Sequence, residues 1–144
     1  IISYASNGAD INDQYDYWEI LGTGVTIAPY DVFVVAHPSA NDDILSESDK
    51  TWPYLSNGDD GYALVFGIED DYIVLDRIGD WGPDPGSGWE VAGVSNVIFN
   101  NTLYRKCGIN QGNADWTQSV RLDLKIHKKN SSSYHKGATS LLNE

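Results

Sequence analysis

The sequence contains little sulfur and little positive charge. Its 144 residues include one cysteine, Cys107, and no methionine, so an intrachain disulfide is excluded and packing must stabilise the fold. It has 9 Lys and Arg against 21 Asp and Glu, a net charge of −12. This deficit argues against nucleic-acid binding, because neutralising phosphates requires a basic surface. The apolar runs, such as residues 32–36, fall far short of the roughly 20 residues of a membrane span.

The residues that are present suit one globular domain followed by a different segment. A hydrophobic fraction of 41% argues against intrinsic disorder, and the length suits a single core. Residues 1–116 hold 4 Lys and Arg against 19 Asp and Glu, whereas residues 117–144 hold 5 against 2. We therefore predict a folded domain over residues 1–118 and a basic, polar tail over residues 119–144. A frayed terminus, a frame error near Gln118 and a nucleic-acid-binding tail are the alternatives for this tail.

The pattern of apolar residues predicts a mainly β fold. Residues 62–66 and 72–79 are rich in β-branched and aromatic residues, and the acidic, Gly-containing segment between them is typical of a hairpin turn. Residues 39–48 favour the one short helix, with Ser39 as its N-cap and acidic residues in its first turn. No other segment shows a long helical period.

Spaced motifs in the chain match a known family in their order. They are residues 25–38 (VTIAPYDVFVVAHP), 55–65 (LSNGDDGYALV), 73–79 (IVLDRIG), 86–89 (GSGW) and 101–106 (NTLYRK). Together they resemble the lamin tail domain family, in the form attached to bacterial secreted and surface proteins. The resemblance covers roughly residues 15–118 and implies an all-β, immunoglobulin-like sandwich. It fails at residues 122–133, where the family has an acidic strand with a tryptophan.

The resemblance also implies a function and a location. Such domains are noncatalytic accessory, binding or spacer modules of larger exported or cell-surface proteins, so the expected partners are a protein or a cell-surface glycan. The start at Ile1 and the lack of the family's leading strand pair suggest a fragment truncated at its N-terminus. Two alternatives remain: an accessory domain appended to an extracellular nuclease or other hydrolase, and a carbohydrate- or Ca²⁺-binding module. His37 near carboxylates invites a hydrolase interpretation, but no catalytic motif accompanies it.

Acidic residues on either side of the first hairpin strand are the candidate metal ligands. Asp59 and Asp60 precede that strand, and Asp70 and Asp71 follow it. Carboxylate oxygens suit Ca²⁺, although the alternating spacing of an EF-hand loop is missing. The simpler interpretation, which we favour, is that these are solvated turn residues and that the domain needs no cofactor.

Tryptophans are the candidate ligand-binding residues. The chain has five, and Trp81 and Trp89 flank a Pro- and Gly-rich loop that contains Asp84. A rigid loop can hold indoles outward to stack on a sugar, with a carboxylate such as Asp84 accepting hydrogen bonds from hydroxyls. The alternative, which we favour, is that the indoles close the open ends of a sandwich core.

Overall fold

The computed structural model describes residues 2–5, 15–55, 58–82, 84–99 and 101–128. These residues form a mainly β fold. In chain order the elements are β1 (Ile2–Ala5), β2 (Tyr17–Glu19), β3 (Val35–Ala36), α1 (Asp42–Ser46), β4 (Lys50–Thr51), β5 (Gly61–Ile68), β6 (Asp71–Ile78), β7 (Asn101–Arg105), α2 (Trp116–Leu122) and β8 (Leu124–Lys128). Across the described ranges, neither helix has the length and apolar character needed to cross a membrane.

The largest sheet is antiparallel and has the strand order β2-β1-β5-β6. Two small sheets accompany it, a parallel pair of β3 and β4 and an antiparallel pair of β7 and β8. The predicted hairpin is confirmed as β5 and β6, joined by the two residues Glu69 and Asp70. A bulge shifts the register between Leu64 and Val65, which leaves Leu75 as the extra residue on β6.

Within the described ranges, three hydrophobic clusters form the core, and we name each after a tryptophan. The Trp81 cluster contains Ala63, Val65 and Trp81, with Tyr15, Trp18, Tyr72 and Val74 packed against it. The Trp52 cluster contains Val35 and Trp52, with Leu21, Phe33, Leu55 and Tyr62. The Trp116 cluster contains Val91, Val97, Trp116 and Leu124, with Ile78, Trp89, Ile98, Leu103, Val120 and Ile126.

The clusters lie on both faces of the large sheet. Successive strand residues point to opposite faces. Tyr62 packs into the Trp52 cluster and its neighbour Ala63 into the Trp81 cluster. Both faces of β5 are therefore covered near its beginning, which explains why residues 61–65 read as an almost continuous apolar run.

The prediction of a single helix over residues 39–48 is wrong in two respects. The first helix, α1, is shorter and is capped by Asn41, whose Oδ1 accepts a 3.0 Å hydrogen bond from the Ile44 N–H. The second helix, α2, was not predicted. Its cap is Asp115, whose carboxylate accepts from the Gln118 N–H at 3.0 Å. An Asp followed three residues later by Gln is a helix-start pattern, so the sequence did hold a local signal for α2.

The predicted domain boundary after residue 118 falls inside α2. Beyond that boundary, Ser119 and Leu124 are buried, and β8 pairs with β7 over five residues. Residues 119–128 are thus part of the fold rather than a separate tail, because their apolar side chains complete the Trp116 cluster. Residues 129–144 of the predicted tail lie outside the described part of the chain.

Tyr15 should make the stability of the fold decline at high pH. Its hydroxyl donates a 3.1 Å hydrogen bond to the Glu69 carbonyl oxygen, and its ring packs against Trp18, Tyr72 and Trp81. Burial raises the pKa of this phenol above its ordinary 10.0, and the charge of Glu69 raises it further. The fold therefore favours the protonated phenol, so this contribution is complete below the ordinary pKa and is lost as pH rises through the raised one.

We expect Tyr15→Phe to show a shallower loss of unfolding free energy than the unchanged protein above pH 10, measured by urea denaturation at successive pH values. Tyr30→Phe is the matched control, because the Tyr30 ring is fully exposed. Equal slopes for Tyr15→Phe and the unchanged protein would contradict the proposed role of the Tyr15 hydroxyl.

Candidate binding cavity

A cavity of about 450 Å³ lies against one face of the β5–β6 hairpin. Its walls come from the segment 21–33, from β5 and β6, and from Arg105 of β7. The apolar residues lining it are Leu21, Val25, Ile27, Val32, Phe33, Val35, Leu55, Tyr62, Ala63, Leu64, Leu75 and Ile78. This volume falls within the range of about 300 to 1,000 Å³ that is usual for small-molecule sites, and apolar walls with few polar groups are usual too.

The segment 21–33 forms the outer wall without being a strand. A tight turn shapes it: the Asp31 N–H donates to the Ala28 carbonyl oxygen at 3.1 Å, and Tyr30 has a φ of 66°. The segment carries Val25 and Ile27, which remain more than half exposed (58% and 53%) although they line the cavity. The mouth of the cavity is therefore apolar.

Four charged residues line the cavity, namely Asp31, Asp76, Arg77 and Arg105, and two of them, Asp76 and Arg105, form a buried ion pair. The Asp76 Oδ2 accepts a short hydrogen bond from the Arg105 guanidinium, and each side chain is only 10% exposed. The Asp76 Oδ1 accepts from the N–H groups of Asn113 at 2.9 Å and Arg77 at 3.0 Å. Both carboxylate oxygens thus have donors, which is what a buried charge requires.

The ion pair also links separate parts of the chain. Asp76 lies on β6 and Arg105 on β7, and Asn113 continues the network by donating its side-chain N–H to Asp123 at 2.9 Å. Gly112 packs directly against β6. A Cβ at this position would collide with the Leu75 carbonyl oxygen and with Asp76, so glycine is required there. The network holds the cavity wall in place, and a ligand in the cavity would meet a fixed pair of opposite charges.

The predicted ligand-binding tryptophans are part of the core instead. Trp81 is 5% exposed, and the Arg77 guanidinium lies 4.6 Å from the centre of its ring. Trp89 is half-buried; its indole N–H donates to the Asp60 carbonyl oxygen at 3.0 Å, and its ring packs edge-on against Trp116. Both indoles therefore pack into hydrophobic clusters, as the favoured interpretation expects. The less favoured interpretation, an outward-facing indole, does not fit Trp81, because its ring packs against Tyr15 and Tyr72 within the core.

The Asp84 carboxylate makes a local turn interaction. The residue is exposed, and its carboxylate accepts a 2.6 Å hydrogen bond from the Gly86 N–H. The loop therefore orders its own backbone through Asp84.

The predicted metal ligands are not brought together. Asp59 and Asp60 are buried beside the first residue of β5, so the favoured interpretation of solvated turn residues is wrong for this pair. Asp70 and Asp71 are exposed at the other end of the hairpin, as that interpretation expects. The eight residues of β5 separate the two pairs by roughly 25 Å at about 3.3 Å per residue. One ion cannot bind both pairs. Among the described ranges, no set of three or more Asp, Glu, His or Cys side chains is arranged to hold a metal ion.

Asp76 and Arg105 were missed as site residues, although a signal for one of them was present. Asp76 interrupts the apolar run of β6, and a charged residue that is buried in such a run needs a partner. Which residue serves as that partner cannot be read from the sequence, because Arg105 is 29 positions away.

Comparisons with family models, with curated proteins and with solved structures found no match to this chain. Function must therefore be inferred from the cavity and from the surfaces around it.

Proposed function

We propose that this chain is a noncatalytic binding module of a larger exported or cell-surface protein, with an immunoglobulin-like sandwich similar to lamin tail domains. Two kinds of observation support the proposal. The first is the motif resemblance, whose two hairpin segments coincide with β5 and β6. The second is the cavity, and this is the observation that carries the binding function.

The cavity favours an apolar group as its ligand. At the mouth of the cavity, Val25, Ile27 and Leu75 are partly exposed to water. A ligand that covers such apolar surface gains about 25 cal/mol of binding free energy per Å². The Asp76–Arg105 pair is a buried, fixed polar feature of the wall, which Asp31 and Arg77 also line, and a few fixed polar groups among apolar ones orient a ligand. A ligand with an apolar body and one polar end would match this arrangement.

A neutral apolar dye tests the cavity directly. We expect Nile red to bind the unchanged protein with increased fluorescence, and Val25→Trp to weaken that binding at least fivefold because the larger ring occupies the mouth. Val94→Trp is the matched control: Val94 is also a partly exposed loop valine, and it does not line the cavity. Circular dichroism would check that both variants fold.

Two results would contradict the proposal. One is the absence of saturable Nile red binding to the unchanged protein. The other is equal weakening by Val25→Trp and Val94→Trp, since binding would then take place elsewhere on the surface.

A further inference from the structure

A strip of exposed apolar side chains runs along the hairpin beyond the cavity. It consists of Phe66 and Ile68 on β5 and Ile73 and Leu75 on β6, and we call it the hairpin strip. The first three are 71%, 68% and 60% exposed. Phe66 and Ile73 are direct cross-strand partners, so they lie on the same face. Leu75 also lines the cavity, which makes the strip continuous with the cavity mouth.

The strip borders an open sheet edge. In the described part of the chain, β6 is the last strand of its sheet. The far end of β6 is covered, because the Arg77 N–H donates to the Asn113 carbonyl oxygen. As far as the described residues go, positions 71–75 therefore form the open part of this edge, beside the hairpin strip.

The hairpin geometry identifies which backbone groups face outward at this edge. Antiparallel pairs alternate between those that exchange both hydrogen bonds and those that exchange none. With a two-residue loop, the flanking pair Ile68–Asp71 is the hydrogen-bonded kind. By alternation, Tyr72 and Val74 direct their N–H and C=O groups away from β5, where a further strand can bind them.

The charge at this edge selects the partner. Glu69, Asp70 and Asp71 are all exposed at the loop end of the open edge. The whole chain carries a net charge of −12, which opposes pairing with a second copy. A basic partner would be attracted, and its charges would be placed best beside the loop.

We propose that the open half of β6 binds an extended, basic segment of a partner protein as an added strand. The Tyr72 and Val74 backbone groups bond the segment, its alternate apolar side chains cover the hairpin strip, and one of them reaches the cavity mouth at Leu75. Antiparallel addition is the more stable form and places the basic residues at the segment's C-terminal end, next to the loop. This inference rests on the proposed function, since it names the partner of that same cavity.

The first test uses a synthetic peptide, acetyl-Thr-Val-Thr-Val-Thr-Val-Lys-Lys-amide, carrying a fluorescent label. We expect saturable binding by fluorescence anisotropy that weakens with added salt, and little binding of the matched peptide with two Glu in place of the two Lys. Amide hydrogen exchange then locates the peptide: the Tyr72 and Val74 amides should gain protection on binding. Binding without that gain would overturn the inference.

A pair of variants at one position tests the backbone bond. Val74→Pro removes the outward N–H while leaving the ladder to β5 intact, and edge strands tolerate proline at such positions. We expect it to weaken peptide binding about tenfold, consistent with the loss of a backbone hydrogen bond and of strand alignment. Val74→Thr keeps the N–H, and its affinity for the peptide should stay within about twofold of that of the unchanged protein.

The charge reversals Glu69→Lys and Asp70→Lys replace Val74→Pro should that variant fail to fold. Both residues lie in the loop, and the reversals should weaken binding of the Lys peptide while improving that of the Glu peptide.

The outcomes separate this inference from the proposed function. Nile red binding should persist in Val74→Pro, because the cavity is unchanged. Retained dye binding with no peptide binding to the unchanged protein would overturn the added-strand proposal alone. Loss of dye binding by the unchanged protein would overturn the cavity function. Dimerisation in sedimentation, with Tyr72 and Val74 protected in the absence of peptide, would overturn the basic partner in favour of a second copy.

Discussion

Asp76→Ala should lower the free energy of unfolding by about 3 to 4 kcal/mol, which is the effect expected when one member of a buried ion pair is removed. The substitution leaves the Arg105 guanidinium at 10% exposure without its counter-ion. It also removes the side-chain acceptor of the Asn113 N–H and one of the two acceptors of the Arg77 N–H, which keeps the Asn113 carbonyl oxygen. Urea denaturation near neutral pH would measure the change.

A surface ion pair provides the control for Asp76. Glu19 pairs with Lys50, and their side chains are 34% and 24% exposed. Because solvent screens such a pair, Glu19→Ala should change stability by less than about 1 kcal/mol. If Asp76→Ala proved no worse than Glu19→Ala, the network joining β6, β7 and the segment near Asn113 would not stabilise the fold as described.

Trp81→Ala should destabilise the fold by about 3 to 5 kcal/mol, in the range of large-to-small substitutions of buried aromatic residues. The indole is 5% exposed and lies within ring-packing distance of Tyr15 and Tyr72. Alanine would leave a cavity in the Trp81 cluster. It would also remove the ring against which the Arg77 guanidinium packs. Thermal or urea denaturation would show the loss.

Two further variants make the Trp81 result specific. Trp81→Phe keeps an aromatic ring and should cost roughly 1 to 2 kcal/mol, because less packing is lost. Tyr30→Ala removes a fully exposed ring and should change stability by less than about 0.5 kcal/mol. Unchanged stability of Trp81→Ala together with lost ligand binding would contradict the core assignment and restore Trp81 as a ligand-binding residue.

The elements that the sequence predicted well are those decided by neighbouring residues. The hairpin of β5 and β6 follows from alternating β-branched residues on either side of a short acidic turn. Helix α2 was also encoded locally, by Asp115 and Gln118, but it has only seven residues and no long helical period to draw attention to it.

The candidate site depended on contacts that a single sequence does not reveal. Asp76 is visible as a charge inside a strand, but its partner Arg105 is 29 residues away on another sheet. In the same way, a Pro- and Gly-rich loop suggests projecting indoles, whereas the chain path turns Trp81 into the core. Residues 119–128 were assigned to a basic tail because residues 117–144 hold 5 Lys and Arg against 2 Asp and Glu, yet Val120, Leu124 and Ile126 belong to the Trp116 cluster.

The sequence by itself determined the mainly β character, the central hairpin, the acidic charge and the need for packing without a disulfide, because these depend on composition and on the order of adjacent residues. Only the tertiary structure decided that the acidic pairs are separated, that the tryptophans lie inside, and that an apolar cavity forms beside the Asp76–Arg105 pair. The physical reason is that each of these features joins segments distant in the chain, and their meeting depends on how whole strands pack.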